Sequence, residues 1–170
     1  MKIKSFLFLL KIIILYENCF LKACAAQQTE TTNFTVRAVV LKACPIGSTT
    51  LNFGNYSSNA ALPGTSTIHV NCTSTTPYTV ALNVGLGAQA TFAGADGRKM
   101  TSGINRLGYN LYTANDHGIV WGDQTGGTQI VNGTGSGNNQ DIIVYGQIPA
   151  GQNVPPANDY QDTITATITF

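Results

Sequence analysis

Residues 159–170, "DYQDTITATITF", set Thr163, Thr165, Thr167 and Thr169 against Ile164, Ala166, Ile168 and Phe170 in strict alternation. Successive side chains of a strand point to opposite faces, so this order gives one wet threonine face and one dry apolar face. The same period runs through "TIHVNC", with Ile68, Val70 and Cys72 opposite Thr67, His69 and Asn71, and through "YTVALNV", with Tyr78, Val80, Leu82 and Val84. "LGYNLYT" (Leu107, Tyr109, Leu111), "DIIVYGQI" and "LNFG" add shorter strands, set apart by Gly, Asn, Pro and Ser clusters such as "TGGTQIVNGTGSGNN". No window of helical length carries a 3.6-residue period. Short strands with turn signals about every ten residues predict a single antiparallel β-sandwich. A chain of 170 residues suits one core, and a charged fraction of only 10% suits exposed strands and turns better than surface helices.

The N-terminus has the layout of an export signal. Lys2 and Lys4 precede the apolar run "SFLFLLKIIILY", which Lys11 interrupts, and small residues close it at "ACAAQ". The run is too short for a membrane span. Residues 1–26 are therefore expected to be a signal peptide, with cleavage after Ala25 or Ala26. Lys22 stands where a lipidation site before Cys24 would want a small or apolar residue, so no lipid is expected.

Cleavage changes the chemistry of what remains. Five basic side chains (Arg37, Lys42, Arg98, Lys99, Arg106) then face seven acidic ones, a net charge of −2, which leaves no basic face for nucleic acid. The tetrapeptide "LKAC" occurs twice, ending at Cys24 and at Cys44. The first copy leaves with Cys19 and the leader, and Cys44 and Cys72 become the only thiols. In an oxidising compartment they admit one intrachain disulfide, worth about 3.5 kcal/mol in the chain-entropy model.

A search for catalytic or cofactor chemistry finds little. "GLGAQA" (85–90) has the letters of a dinucleotide fingerprint but follows a strand with no helix behind it, so no helix N-terminus is available for a phosphate. The glycines of 126–137 lack the Gly-Lys-Ser/Thr ending of a phosphate loop. His69 reads as the solvent side of a strand and His117, in "NDHG", as a turn residue; neither has metal-ligand spacing. Asn33, Asn55, Asn71 and Asn132 begin Asn-x-Ser/Thr sequons, which a Thr- and Asn-rich chain produces by chance. Trp121 is expected in the core. No enzyme activity, metal or cofactor is expected.

One series of segments spans nearly the whole mature chain: "FTVRAVV" before Cys44, "LNFG", "VNCT" at Cys72, "YTVALNVG", "RKM", "YNLYT", "VWGD", "VYGQIPAGQ" and "DYQDTITATITF". In that order, with those cysteines, it resembles the spore coat protein U domain family, which includes subunits of archaic chaperone-usher pili. The resemblance covers roughly residues 33–170 and departs at "PPANDY", where the family has a glycine before the Asp-Tyr pair. It implies an immunoglobulin-like sandwich lacking its last strand, with an N-terminal donor strand that fills the groove of a neighbouring subunit by strand addition. It implies three parts: a leader (1–26), a donor extension (27–43) and the pilin domain (44–170). The donor face would be Phe34, Val36, Ala38 and Val40; the acceptor groove and chaperone contact would involve Ile164, Ile168 and Phe170. The partners implied are a periplasmic chaperone, an outer-membrane usher and neighbouring pilin subunits, and the place is the cell surface, in adhesion or biofilm. The alternative is a secreted spore-coat or carbohydrate-binding sandwich that closes on its own first strand.

The leader reading sets an expected outcome. The exported protein should begin at Ala26 or Gln27 and carry no lipid, which N-terminal sequencing and intact mass measure; a start at Met1 or at a lipidated Cys24 contradicts it.

Overall fold

The computed structural model describes residues 27–170; the leader expected at 1–26 lies outside the described residues. The chain divides after Val39 into two units, each taken by itself. Of the first, residues 27–39 are described and form no regular element. The second, Val40–Phe170, holds eight strands: β1 (Ile46–Ser48), β2 (Leu62–Val70), β3 (Pro77–Leu82), β4 (Arg98–Ser102), β5 (Asn105–Tyr112), β6 (Val131–Thr134), β7 (Gln140–Ile148) and β8 (Ala166–Thr169). A single 3-10 turn, Thr125–Gly127, interrupts them, and no α-helix occurs among the described residues.

The strands make two antiparallel layers, one ordered β1-β2-β7-β5-β4 and the other β6-β3-β8. This is the two-sheet, all-β architecture that the alternation predicts. The long pairing of β2 with β7 runs from Leu62↔Ile148 to Val70↔Gln140 and forms the spine of the larger sheet. The core lies between the layers, where Ile68, Val70, Tyr78, Val80, Leu82, Leu107, Leu111, Trp121, Val144 and Ile148 are buried. Burying side chains of this size stabilises by roughly 1.5–3 kcal/mol each. Cys44 and Cys72 are joined, so the start of β1 is tied to the chain just beyond the end of β2.

Three local readings change. "LNFG" forms no strand: Leu51 and Phe53 pack against Gly64 and Gly146, a register pair of β2 and β7 whose missing side chains leave the space. The glycine-rich stretch expected as a turn contains β6, whose Val131 and Gly133 face inward beside β3. β5 is buried on both faces rather than one, because the 83–97 loop covers its second face and a cation at the start of β4 meets it there.

That cation is Arg98, fully buried at the start of β4. It donates to the Asn83 carbonyl through Nε (3.2 Å) and Nη2 (2.8 Å), to the Trp121 carbonyl through Nη2 (2.7 Å) and to Asn110 Oδ1 through Nη1 (2.6 Å), and stacks on Phe92. Asn110 in turn donates to the Gly94 carbonyl, and the Trp121 indole to the Val80 carbonyl. Burial lowers the guanidinium to about 10, so it stays charged at neutral pH. Its hydrogen bonds all go to carbonyl and amide oxygens, while the carboxylates of Asp162 and Asp123 favour its charge from a distance.

Arg98→Met should keep the volume and leave Asn110 Oδ1 and two carbonyls short of donors. The expected loss is roughly 3 kcal/mol. Urea denaturation followed through the fluorescence of Trp121, the only tryptophan, measures it.

Candidate functional site

The two layers do not match in width. The smaller sheet ends at β8, which pairs with β3 on one side only: Thr79↔Thr169, Val80↔Ile168, Ala81↔Thr167 and Leu82↔Ala166. Across from its free edge runs the irregular segment 49–56, anchored by Leu51 and Phe53 on the two-glycine platform. Between these edges a groove of about 1100 Å³ opens onto the core. Its floor is apolar: Ile68, Leu82, Leu107, Leu111, Val144 and Ile148. Its walls carry Leu51, Phe53 and Tyr56 on one side and Tyr160, Ile164 and Ala166 on the other. Among the described residues, no backbone hydrogen bond joins the two walls.

Each wall is held from behind. On the β8 side, Asn83 extends the pairing beyond β3: its N–H donates to the Thr165 carbonyl (3.0 Å) and its Oδ1 accepts from Thr165 N–H (2.8 Å). The carbonyl of the same residue receives the Arg98 guanidinium, so the buried cation and the groove wall share one peptide unit. Thr101 and Gln161 exchange a further pair of backbone bonds. At the other wall, the Tyr56 hydroxyl donates to the Pro149 carbonyl and accepts from Gln152 N–H. The Gln152 amide both accepts from and donates to the backbone of Gly108 on β5, standing in for a strand partner.

The residues singled out from sequence fall in different places. Ile164 lines the groove. Ile168 lies further along β8, half-buried against the core opposite Val80. Phe170 is 53% exposed and borders a shallow depression with Pro77, Tyr78 and Gly133, outside the groove. Phe34, Val36, Ala38 and Val40 are all exposed, Phe34 at 85% and Val36 at 80%, and so are Val39 and Leu41. Sequence reasoning missed the opposite wall, Leu51, Phe53 and Tyr56, because its residues sit on glycines of other strands rather than in a periodic run of their own. His69 Nδ1 lies 2.7 Å from Asp141 Oδ1 on the outer surface, a bond that holds the Asp141 carboxyl below its usual range, and the His117 ring meets Tyr112 edge-on.

A family model described as the Spore Coat Protein U domain matches residues 30–167. The chain belongs to that family. A relative within reach of it, "Protein U" of Myxococcus xanthus, is 39% identical over 161 residues, covering 86% of this chain and 88% of that protein. Among solved structures, a chaperone–tip adhesion subunit pre-assembly complex from the archaic chaperone-usher Csu pili of Acinetobacter baumannii contains a chain that matches at 26% identity with a TM-score of 0.55. That match covers 77% of this chain and 40% of the other, so this family member spans less than half the length of the chain it resembles.

The platform under Phe53 gives a test of the wall. Gly146→Val places a branched side chain where Leu51 and Phe53 now lie, and should cost about 1–3 kcal/mol through overpacking. Thermal unfolding of the variant measures the loss, and a change below experimental error contradicts the packing described.

Proposed function

We propose that this protein is a structural subunit of a bacterial surface pilus, exported through the periplasm and assembled by the chaperone-usher route through donated strands. The observation that carries the reading is the open groove. It exposes core residues along the free edge of β8, where an added strand would find both a ladder partner and a dry floor. An uncovered edge of this kind invites unspecific pairing, so a partner is needed from the moment the chain folds. A periplasmic chaperone would serve first and a neighbouring subunit afterwards, with an outer-membrane usher as the place of exchange. The family membership and the likeness to a subunit held in a chaperone complex support this order of events.

The occupant proposed is the neighbour's segment Phe34–Val40. Alternate residues Phe34, Val36, Ala38 and Val40 present an apolar face, and they are exposed in this chain. Moving such side chains from water into a groove stabilises by roughly 1.5–3 kcal/mol each for the larger ones, with ladder hydrogen bonds in addition. A joint of that strength suits a fibre serving adhesion or biofilm. The family's name and the near-full-length match to Protein U support a second reading, a secreted coat module whose groove is filled by its own first strand.

Charge placed on the two sides separates these readings. Val36→Asp puts an unpaired charge on the donor face, where burial costs several kcal/mol, so the subunit should still fold on its chaperone and fail to form heat-sensitive ladders. Ile164→Asp charges the groove and should abolish chaperone binding itself. Normal polymerisation by Val36→Asp contradicts the donor assignment; failure of Val36→Asp to fold on the chaperone favours the self-closed module.

A further inference from the structure

The motif "GLGAQA" and the buried hydroxyl of Tyr109 have no part in the donor-strand reading so far, and they meet at one carboxylate. Asp162 Oδ1 accepts from the backbone N–H groups of Leu86 (2.8 Å), Gly87 (3.0 Å) and Thr163 (2.7 Å), and Oδ2 accepts from the Tyr109 hydroxyl (2.8 Å). The glycine loop therefore does cradle an anion, but the anion is the chain's own side chain. Gly85 holds the loop in shape with φ of 96°, and a Cβ there would collide with the Asp162 carboxylate. Burial, with the Asp162 charge beside it, pushes the Tyr109 hydroxyl well above its ordinary range, so the phenol remains a donor.

These bonds stand between the Thr101–Gln161 backbone pair and the Asn83–Thr165 pair, and add side-chain anchoring to the wall there. Asp162 lies where the irregular chain after β7 turns into the β8 wall. Tyr109 lies against the groove, and its ring meets Phe53 of the opposite wall edge-on, with centroids 6.0 Å apart. One line of contacts, from the 85–87 loop through Asp162 and Tyr109 to Phe53, thus crosses the groove that no backbone bond crosses.

We propose that Asp162, held by the Leu86 and Gly87 amides and by Tyr109, is the positioning residue of the groove: it keeps the β8 wall at the spacing and register that an incoming strand requires. The proposal rests on the donor-strand reading and names the group that prepares the acceptor. A wall that is already placed need not be ordered during entry, so its contribution falls on the rate at which a strand enters more than on the rate at which it leaves.

The test uses the full chain and a fluorescent synthetic peptide carrying residues 33–42, with association and dissociation followed by anisotropy. Asp162→Asn and Tyr109→Phe should each slow association about tenfold while dissociation changes little, and the double variant should be no slower than either single one, since both break the same line. The disulfide and the Trp121 fluorescence report that the fold persists; Tyr109→Phe keeps the ring on Phe53 and serves if Asp162→Asn does not fold. Association at the wild-type rate in Tyr109→Phe, or single defects that multiply in the double variant, overturns the proposal. A wild-type chain that takes up no peptide is a different result and overturns the donor-strand reading instead.

Discussion

A sandwich whose second layer is narrower than its first must keep an inner face open to water without collapsing. The five-stranded sheet offers Ile68, Leu107, Leu111, Val144 and Ile148 to a partner layer of only three strands. Hydrophobic burial alone would pull segment 49–56 and the chain before β8 together over that floor. Polar contacts hold them apart. Asn83 fastens Thr165 from behind, Gln152 fastens the other side to Gly108, and the buried Arg98 binds the Asn83 carbonyl. An apolar wall can slide at little cost, whereas a buried donor or acceptor that loses its partner costs a few kcal/mol, so these bonds fix a distance that packing would not.

The unusual chemistry of this core follows from the same need. A buried guanidinium with no carboxylate bonded to it is costly to desolvate, and it persists because five N–H groups in a rigid fork can address several carbonyls at once. Arg98 reaches the carbonyl just past the end of β3, the Asn110 side chain on β5 and the carbonyl of Trp121 together, reinforcing the backbone bonds by which the Trp121 segment meets Leu111 and Leu82. It makes the corner between the layers rigid on the side where the groove wall is attached. On the far side the Cys44–Cys72 bridge does comparable work by covalent means, holding the chain that leads out of the first unit against the end of β2.

Much of this was legible in the sequence, and the parts that were not have a common cause. Period two marked β2, β3, β7 and β8, because each has one face on the core and one in water. The cysteine pair followed from simple count. In β5 the period picks out Leu107, Tyr109 and Leu111 but gives no sign that Asn110 is buried as well; Arg98, twelve residues earlier, makes it a core residue. The wall at 51–56 depends on glycines 64 and 146, which face each other across two strands far apart in the chain. The glycine loop at 85–87 gave the letters of an anion site, and the letters were physically apt. What sequence could not supply was Asp162, more than seventy residues away, as the anion. Contacts that pair a local pattern with a remote partner are invisible to any periodicity.

The route by which the exposed segment finds a groove is constrained by where the compact unit begins. Ala43 is pinned to Thr73 by backbone N–H and carbonyl bonds, and Cys44 is held by its disulfide. From there the chain runs forward through β1 into the 49–56 wall. To fill the groove beside that wall of its own unit, residues 34–40 would have to double back within Val40-Leu41-Lys42. Tight reversals between antiparallel strands demand positive φ at one or two positions, which Gly, Asn and Asp tolerate and β-branched or bulky residues resist. This stretch contains none of the tolerant residues. An extended backbone requires no such turn, and Val36, Val39 and Val40 favour it because their branched side chains suit the β backbone. The stiffness of this stretch therefore weighs against the self-closed reading and supports the proposed use of a neighbour's groove, in which head-to-tail linkage would be open-ended because donor and acceptor are different surfaces.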